Sequence, residues 1–162
     1  MGNRIGDNLV HTGENKELIA ALVSQGVRFV IIGGLAISWH FEERVADDLD
    51  ILIENSEHND RGMSEVLVQL GLDRPAPGQF LRPGLLMPLK KHFYADILTP
   101  RVGAPSFADC YESAAQARLF HIPVRVASVP ALIALKEFAA AQSLDSHAKH
   151  MTDLAILRGS AA

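Results

Sequence analysis

VRFVIIGGLAISWHFEERVADDLDILI, residues 27–53, is the stretch on which the reading of this chain turns. Its first six residues are β-branched and aromatic with only Arg28 for polar relief, the pattern of a strand buried on both faces and central in a sheet. Gly33-Gly34 breaks that strand, LAISWHF reads as a short helix, and the charged EERVADD segment leads into a second apolar strand at residues 49–53. The local unit is strand, glycine turn, helix, strand.

Asp48 and Asp50 stand two apart where the second strand begins, so alternation points both carboxylates to one face. Like charges that close repel unless a cation lies between them, which is how a Mg²⁺ site with few protein ligands and substrate phosphates is made. Read alone, Asp47, Asp48 and Asp50 are solvated residues at a strand mouth. Read alone, Gly33-Gly34 is a tight connection. Together they describe a turn whose amides approach a phosphate, opening a helix aimed at it, beside paired carboxylates.

Working outward, Leu18, Ile19, Leu22 and Val23 recur at helical spacing over residues 14–25, with Gly26 as the C-terminal stop. Residues 56–70 repeat the pattern with Met63, Val66, Leu67 and Leu70 before Gly71. Four prolines and two glycines in residues 73–88 make a loop with a short extended piece at 85–87. Residues 92–98 (HFYADIL) form a strand in which Asp96 is flanked by apolar neighbours, a carboxylate that is either hydrogen-bonded, paired with a base, or functional. A helix over 106–117, a strand over 122–127, a helix from Ser128 and Pro130 through 141, and a last helix over about 146–158 complete the chain.

The 162 residues match one ordinary domain, with 48% hydrophobic and 21% charged residues. The net charge of −4 argues against gripping nucleic acid by bulk charge. Cys110, the single cysteine, forbids an internal disulfide and reads as a small buried hydrophobe rather than a nucleophile. No apolar run has signal-peptide or membrane-span character, so a cytoplasmic protein without a membrane partner is expected. His92, His121 and His147 are scattered, and His147 with His150 lacks the glutamate of a zinc-protease helix, which argues against zinc.

The order buried strand, Gly33-Gly34, short helix, Arg44-x-Ala46-x-Asp48-Leu49-Asp50 resembles the DNA polymerase β-like nucleotidyltransferase superfamily. Among its members the chain is similar to small bacterial toxin-type nucleotidyltransferases, including the abortive-infection AbiEii proteins. There the pattern is Gly-Gly, often a His, then Arg-x-Thr-x-Asp-hydrophobic-Asp, which Gly33, Gly34, His40, Arg44, Asp48 and Asp50 match. The resemblance implies an α/β (α+β) nucleotidyltransferase fold, a mixed central sheet flanked by helices. A core over about 14–127 would be followed by C-terminal helices over about 128–158 within a single domain, residues 1–162.

It further implies Mg²⁺ or Mn²⁺ held by Asp48, Asp50 and Asp96, with Asp96 as the third carboxylate able to deprotonate or orient the acceptor. A nucleoside triphosphate would lie at Gly33 and Gly34, with Arg44, Lys136 and Lys149 toward its phosphates. The nucleoside monophosphate would pass to an RNA, protein or small-molecule hydroxyl, and toxin-type relatives imply an antitoxin partner. Ala46, His147 and His150 depart from the family's Thr, Arg and Asp. Those departures favour the rival reading, a catalytically silent nucleotide-binding or partner-binding module of the same fold.

Overall fold

The computed structural model describes residues 4–11, 15–46, 48–89, 93–142 and 147–159. Residues 14, Asp47, His92 and 146, which fell within the sequence-based expectations, lie outside the described residues. In chain order the elements are β1 (Arg4–Ile5), β2 (Asn8–Leu9), α1 (Lys16–Ser24), β3 (Phe29–Ile32), α2 (Gly33–His40) and β4 (Leu49–Ile53). There follow α3 (Glu57–Gln69), β5 (Leu86–Pro88), β6 (Ala95–Leu98), α4 (Phe107–Glu112), β7 (Ala115–Leu119), β8 (Ile122–Val126), α5 (Val129–Gln142) and α6 (His147–Gly159).

The strands form one mixed sheet in the order β1-β2-β7-β8-β3-β4-β6-β5. β3 runs antiparallel to β4 and parallel to β8, and β4 runs parallel to β6. β3 is therefore interior, as its unbroken apolar run requires, and Val30 and Ile31 are fully buried. α1 and α3 pack together, and Leu18, Ile19, Leu22, Met63 and Val66 join Ile31, Ile51 and Ile53 in one core cluster. Each fully buried aliphatic side chain there is worth roughly 1.5–3 kcal/mol.

The helix ends follow from local chemistry. Ser56 caps α3 by accepting from the Asn59 amide at 3.2 Å. Gly26 and Gly71 end α1 and α3 in the left-handed region, at φ +67° and +78°. Two buried asparagines brace the sheet. Asn59 pairs both backbone groups of Arg28 at 2.9 and 2.8 Å, and Asn15 pairs both of Tyr94 at 3.2 and 3.3 Å, next to where β6 begins.

Residues 106–117 depart from the expected helix: α4 ends at Glu112 and residues 115–119 are β7, a strand of the sheet. Ala and Gln favour helix, but pairing with β8 buries Ala117 and Leu119 on one face while Gln116 and Arg118 face out, and tertiary pairing outweighs propensity. The hairpin turn is Phe120-His121, both at positive φ, which lacks the Asn-Gly signature that would reveal it in the sequence. The β1–β2 hairpin, with β2 parallel to β7, was likewise not anticipated.

Candidate active site

The site grows from the end of β3. Ile32 pairs with Asp50 across the antiparallel ladder, and Asp50 pairs with Asp96 across the parallel one. Residues opposite each other in a sheet share a face, so Ile32, Asp50 and Asp96 lie side by side at one level. Gly33 turns the chain away there with φ +73°, and a Cβ placed on it would stand 2.3 Å from Asp50 Oδ2. Only glycine lets the backbone come this near the carboxylate. A Cβ on Gly34 would meet Arg44 Nη2 at 2.9 Å and Ala46 Cβ at 3.0 Å, so the loop leading to Asp48 closes over the second glycine.

Below this level a cavity of about 200 Å³ opens between the sheet and α5. Ile32, Leu52, Leu98 and Leu135 give it an apolar lining, Gly33 and Asp50 stand on the sheet side, Lys136 and Arg101 bring cationic nitrogen, and the His150 imidazole completes the wall. Arg101 is braced by its guanidinium over the Phe138 ring, 5.1 Å from the centroid. Burial, then the charge of Lys136, lowers the His150 pKa below its ordinary value.

The C-terminal helices are clamped to the loop before β4. Asp153 of α6 accepts from Arg44 Nε at 2.8 Å and pairs with Lys136 Nζ of α5 at 2.9 Å. Its side chain is 3% exposed, against 19% for Arg44 and 13% for Lys136, so this is an interior triad rather than a surface ion pair. Burial disfavours the Asp153 carboxylate, but hydrogen bonds and charge from Arg44 and Lys136 outweigh it and hold the carboxyl below its ordinary range. Lys136 Nζ also lies 3.4 Å from His150 Nδ1.

Neighbouring polar side chains are spent on shape. Ser38 Oγ donates to Gly34 O at 2.9 Å and also meets Arg44 O, stapling the glycine turn to the loop. His40 Nε2 lies 2.8 Å from Ala127 O, joining α2 to the end of β8. His147 Nδ1 lies 2.9 Å from Ala140 O, so the residue replacing the family's arginine engages the last turns of α5.

Of the residues singled out in the sequence, Gly33, Asp50 and Asp96 meet at one level, Lys136 faces the same cavity as Asp50, and Arg44 abuts Gly34. Asp48 precedes β4 and is exposed, and Lys149 is exposed on α6, where His150 supplies the cavity wall instead. Among the described residues no three His, Cys, Asp or Glu side chains form a metal-holding group. The cross-strand register sets Asp50 beside Asp96, and Asp48 stands one residue ahead of that ladder at its exposed mouth. Two carboxylates at one level still fit Mg²⁺, which takes one or two protein carboxylates and fills its octahedron with phosphate oxygens and water. Cys110 is fully buried, and burial pushes its thiol up to about 11, with Asp109 adding to the rise.

Arg101 and His150 line the cavity and Asp153 pairs with Lys136 of the same lining, a grouping that local sequence pattern does not mark. Arg44 and Asp153 are 109 residues apart, and only the packing of α6 unites them.

The architecture, helices on a mixed sheet, matches a nucleotidyltransferase fold, as expected. It is similar to the crystal structure of ANT(2″)-Ia in complex with adenylyl-2″-tobramycin, at 19% identity over 90% of this chain and 86% of that one, with a TM-score of 0.60. It is also similar to the solution structure of the antibiotic-resistance factor ANT(2″)-Ia, at 18% identity over 90% of this chain and 81% of that one, TM-score 0.54. No protein-family model and no curated protein matches the chain. Among the described residues no helix is long and apolar enough to cross a membrane.

Proposed function

We propose that the chain is a divalent-metal-dependent nucleotidyltransferase that moves a nucleoside monophosphate from a nucleoside triphosphate to a small-molecule hydroxyl. The observation that carries this is the register Ile32–Asp50–Asp96 beside Gly33: two carboxylates and a glycine turn on one level of the sheet. Asp50 and Asp96 would hold Mg²⁺ or Mn²⁺, with Asp48 able to join from the exposed mouth. When bound, the metal neutralises charge on the attacking and leaving oxygens.

The chain's own groups do the rest. The Gly33-Gly34 turn lets backbone amides approach the triphosphate at the start of α2. Lys136 and Arg101 set cationic nitrogen against its oxygens, and the His150 imidazole stands beside them as a neutral hydrogen-bonding group. Asp96 accepts the proton of the acceptor hydroxyl as its oxygen attacks the α-phosphorus, the α–β phosphoanhydride bond breaks, and pyrophosphate leaves. Arg44 buttresses the turn from above Gly34.

The choice of a small molecule over an RNA end or a protein draws on two supports. The similar ANT(2″)-Ia structure holds adenylyl-2″-tobramycin, a small molecule bearing an adenylyl group. The net charge of −4 offers nucleic acid little general attraction. Toxin-type activity with an antitoxin partner has no such support.

The test is incubation with α-labelled nucleoside triphosphates, Mg²⁺ or Mn²⁺, and separately the metabolite, RNA and protein fractions of a cell extract. We expect label in the metabolite fraction, abolished by Asp50→Asn and by Asp96→Asn. Label in RNA or protein alone would refute the acceptor class, and label unchanged by both variants would refute the site. The second reading, a binder without turnover, is favoured by Ala46, His147 and His150, which stand where the resemblance implies Thr, Arg and Asp. It predicts nucleotide-dependent thermal stabilisation and no labelled product.

A further inference from the structure

A second cavity, of about 490 Å³, lies toward the other end of β3 from Gly33. Val27 lines it from just ahead of β3, Phe29 from the first residue of that strand, Tyr111 from α4, and Gln116, Arg118, Pro123 and Arg125 from one face of the β7–β8 hairpin. The volume is in the range of small-molecule sites, and so is the mixture of apolar wall with a few polar groups.

Its electrostatics are one-sided. In the hairpin ladder Gln116 pairs with Arg125 and Arg118 with Pro123, so the two arginines are diagonal neighbours on one face, about 7–8 Å apart along the ladder. Both line the cavity, and two such long side chains on one face can turn to the same anion. Among the described residues neither arginine meets a carboxylate within ion-pair distance, although the chain as a whole carries a net charge of −4.

Arg125 is also held in place before any ligand arrives. Its guanidinium lies over the Tyr111 ring, 4.2 Å from the centroid, and its Nη1 donates to Tyr111 O at 3.3 Å. Tyr111 is itself stacked on Phe107 at 5.2 Å. An ordered guanidinium that spends one of its five N–H donors keeps others for a ligand and loses little freedom on binding. Asp7 lines the same cavity and opposes an anion, which gives the electrostatics a second handle.

We infer that this cavity is a second ligand site, independent of nucleotidyl transfer, for a small organic acid: a carboxylate or phosphate held by Arg118 and Arg125, on an apolar body resting against Pro123, which shares their face of the hairpin. Its occupation does not require the Asp50–Asp96 level to be catalytic, so either assignment can fail alone.

Phenyl phosphate, benzoate and uncharged benzyl alcohol, each titrated into the ¹⁵N-labelled full chain and followed by amide NMR, test it. We expect saturable shifts of the Gln116, Arg118 and Arg125 amides with at least one of the two anions, weakened by added salt, and none with the alcohol. The anion that binds more tightly identifies the head group. Arg118 is exposed, so Arg118→Ala leaves the fold intact, as its own spectrum will show, and we expect it to weaken binding roughly tenfold. Asp7→Asn should tighten it. The assignment is overturned by an absence of saturable hairpin shifts with both anions, by shifts confined to Gly33, Asp50 and Lys136, or by affinities that neither variant alters.

Discussion

Gly33 holds a φ of +73° with the Asp50 carboxylate against the space its side chain would fill, and both facts act on the same substitution. In Gly33→Ala the backbone strain alone costs about 1–2 kcal/mol, and the Asp50 carboxylate must also be displaced. We predict a loss of about 1–3 kcal/mol in unfolding free energy in urea, exceeding that of Gly34→Ala, where the new Cβ crowds Arg44 and Ala46 but adds no left-handed backbone strain. Equal stability of Gly33→Ala and the parent would contradict the close approach. The glycine pair and Asp50 were legible in the sequence because turn chemistry and strand alternation are local rules. Asp96 was legible as an anomaly, a carboxylate in an apolar strand, while its grouping with Asp50 came from the family resemblance and not from local pattern, because register across a parallel pair depends on how the chain returns.

Among the elements, α6 matters most to the site, since its Asp153 joins the loop before β4 to α5 through Arg44 and Lys136. Removing one member of a buried triad leaves the other charges uncompensated. Asp153→Ala should therefore cost about 3–5 kcal/mol in chemical denaturation, well beyond an exposed pair such as Arg74–Glu65. The sign with pH follows from the lowered Asp153 pKa. The unfolded carboxyl binds its proton near pH 3.9, the folded one only lower, so the contribution is present above about pH 4 and lost as pH falls through the folded value. Stability measured from pH 6 down to pH 2 should thus fall more steeply in the parent than in Asp153→Ala, and parallel profiles would contradict the clamp. The amphipathic periods of α1 and α3 and the apolar runs of β3 and β4 announced themselves, because one buried face writes a period into the sequence. β7 did not, because its alanines and glutamine carry helix propensity and its hairpin turn uses Phe120 and His121 where glycine or asparagine would have signalled it.

At the scale of the molecule, the sheet order sets Asp50 and Asp96 on neighbouring strands, and the return of α5 and α6 supplies the cationic wall opposite. The first half of that arrangement could be foreseen from a strand, a glycine turn and a carboxylate pair. The second could not, since contacts spanning 109 residues leave no mark in local pattern. In the proposed function Asp50 and Asp96 together hold metal for a triphosphate, and calorimetric titration of ATP and the other nucleoside triphosphates with and without Mn²⁺ checks this without any need for the acceptor. The prediction is binding that requires Mn²⁺ and weakens at least about tenfold in Asp50→Asn and in Asp96→Asn, folded like the parent. Triphosphate binding that is the same without metal and unchanged in both variants would contradict it.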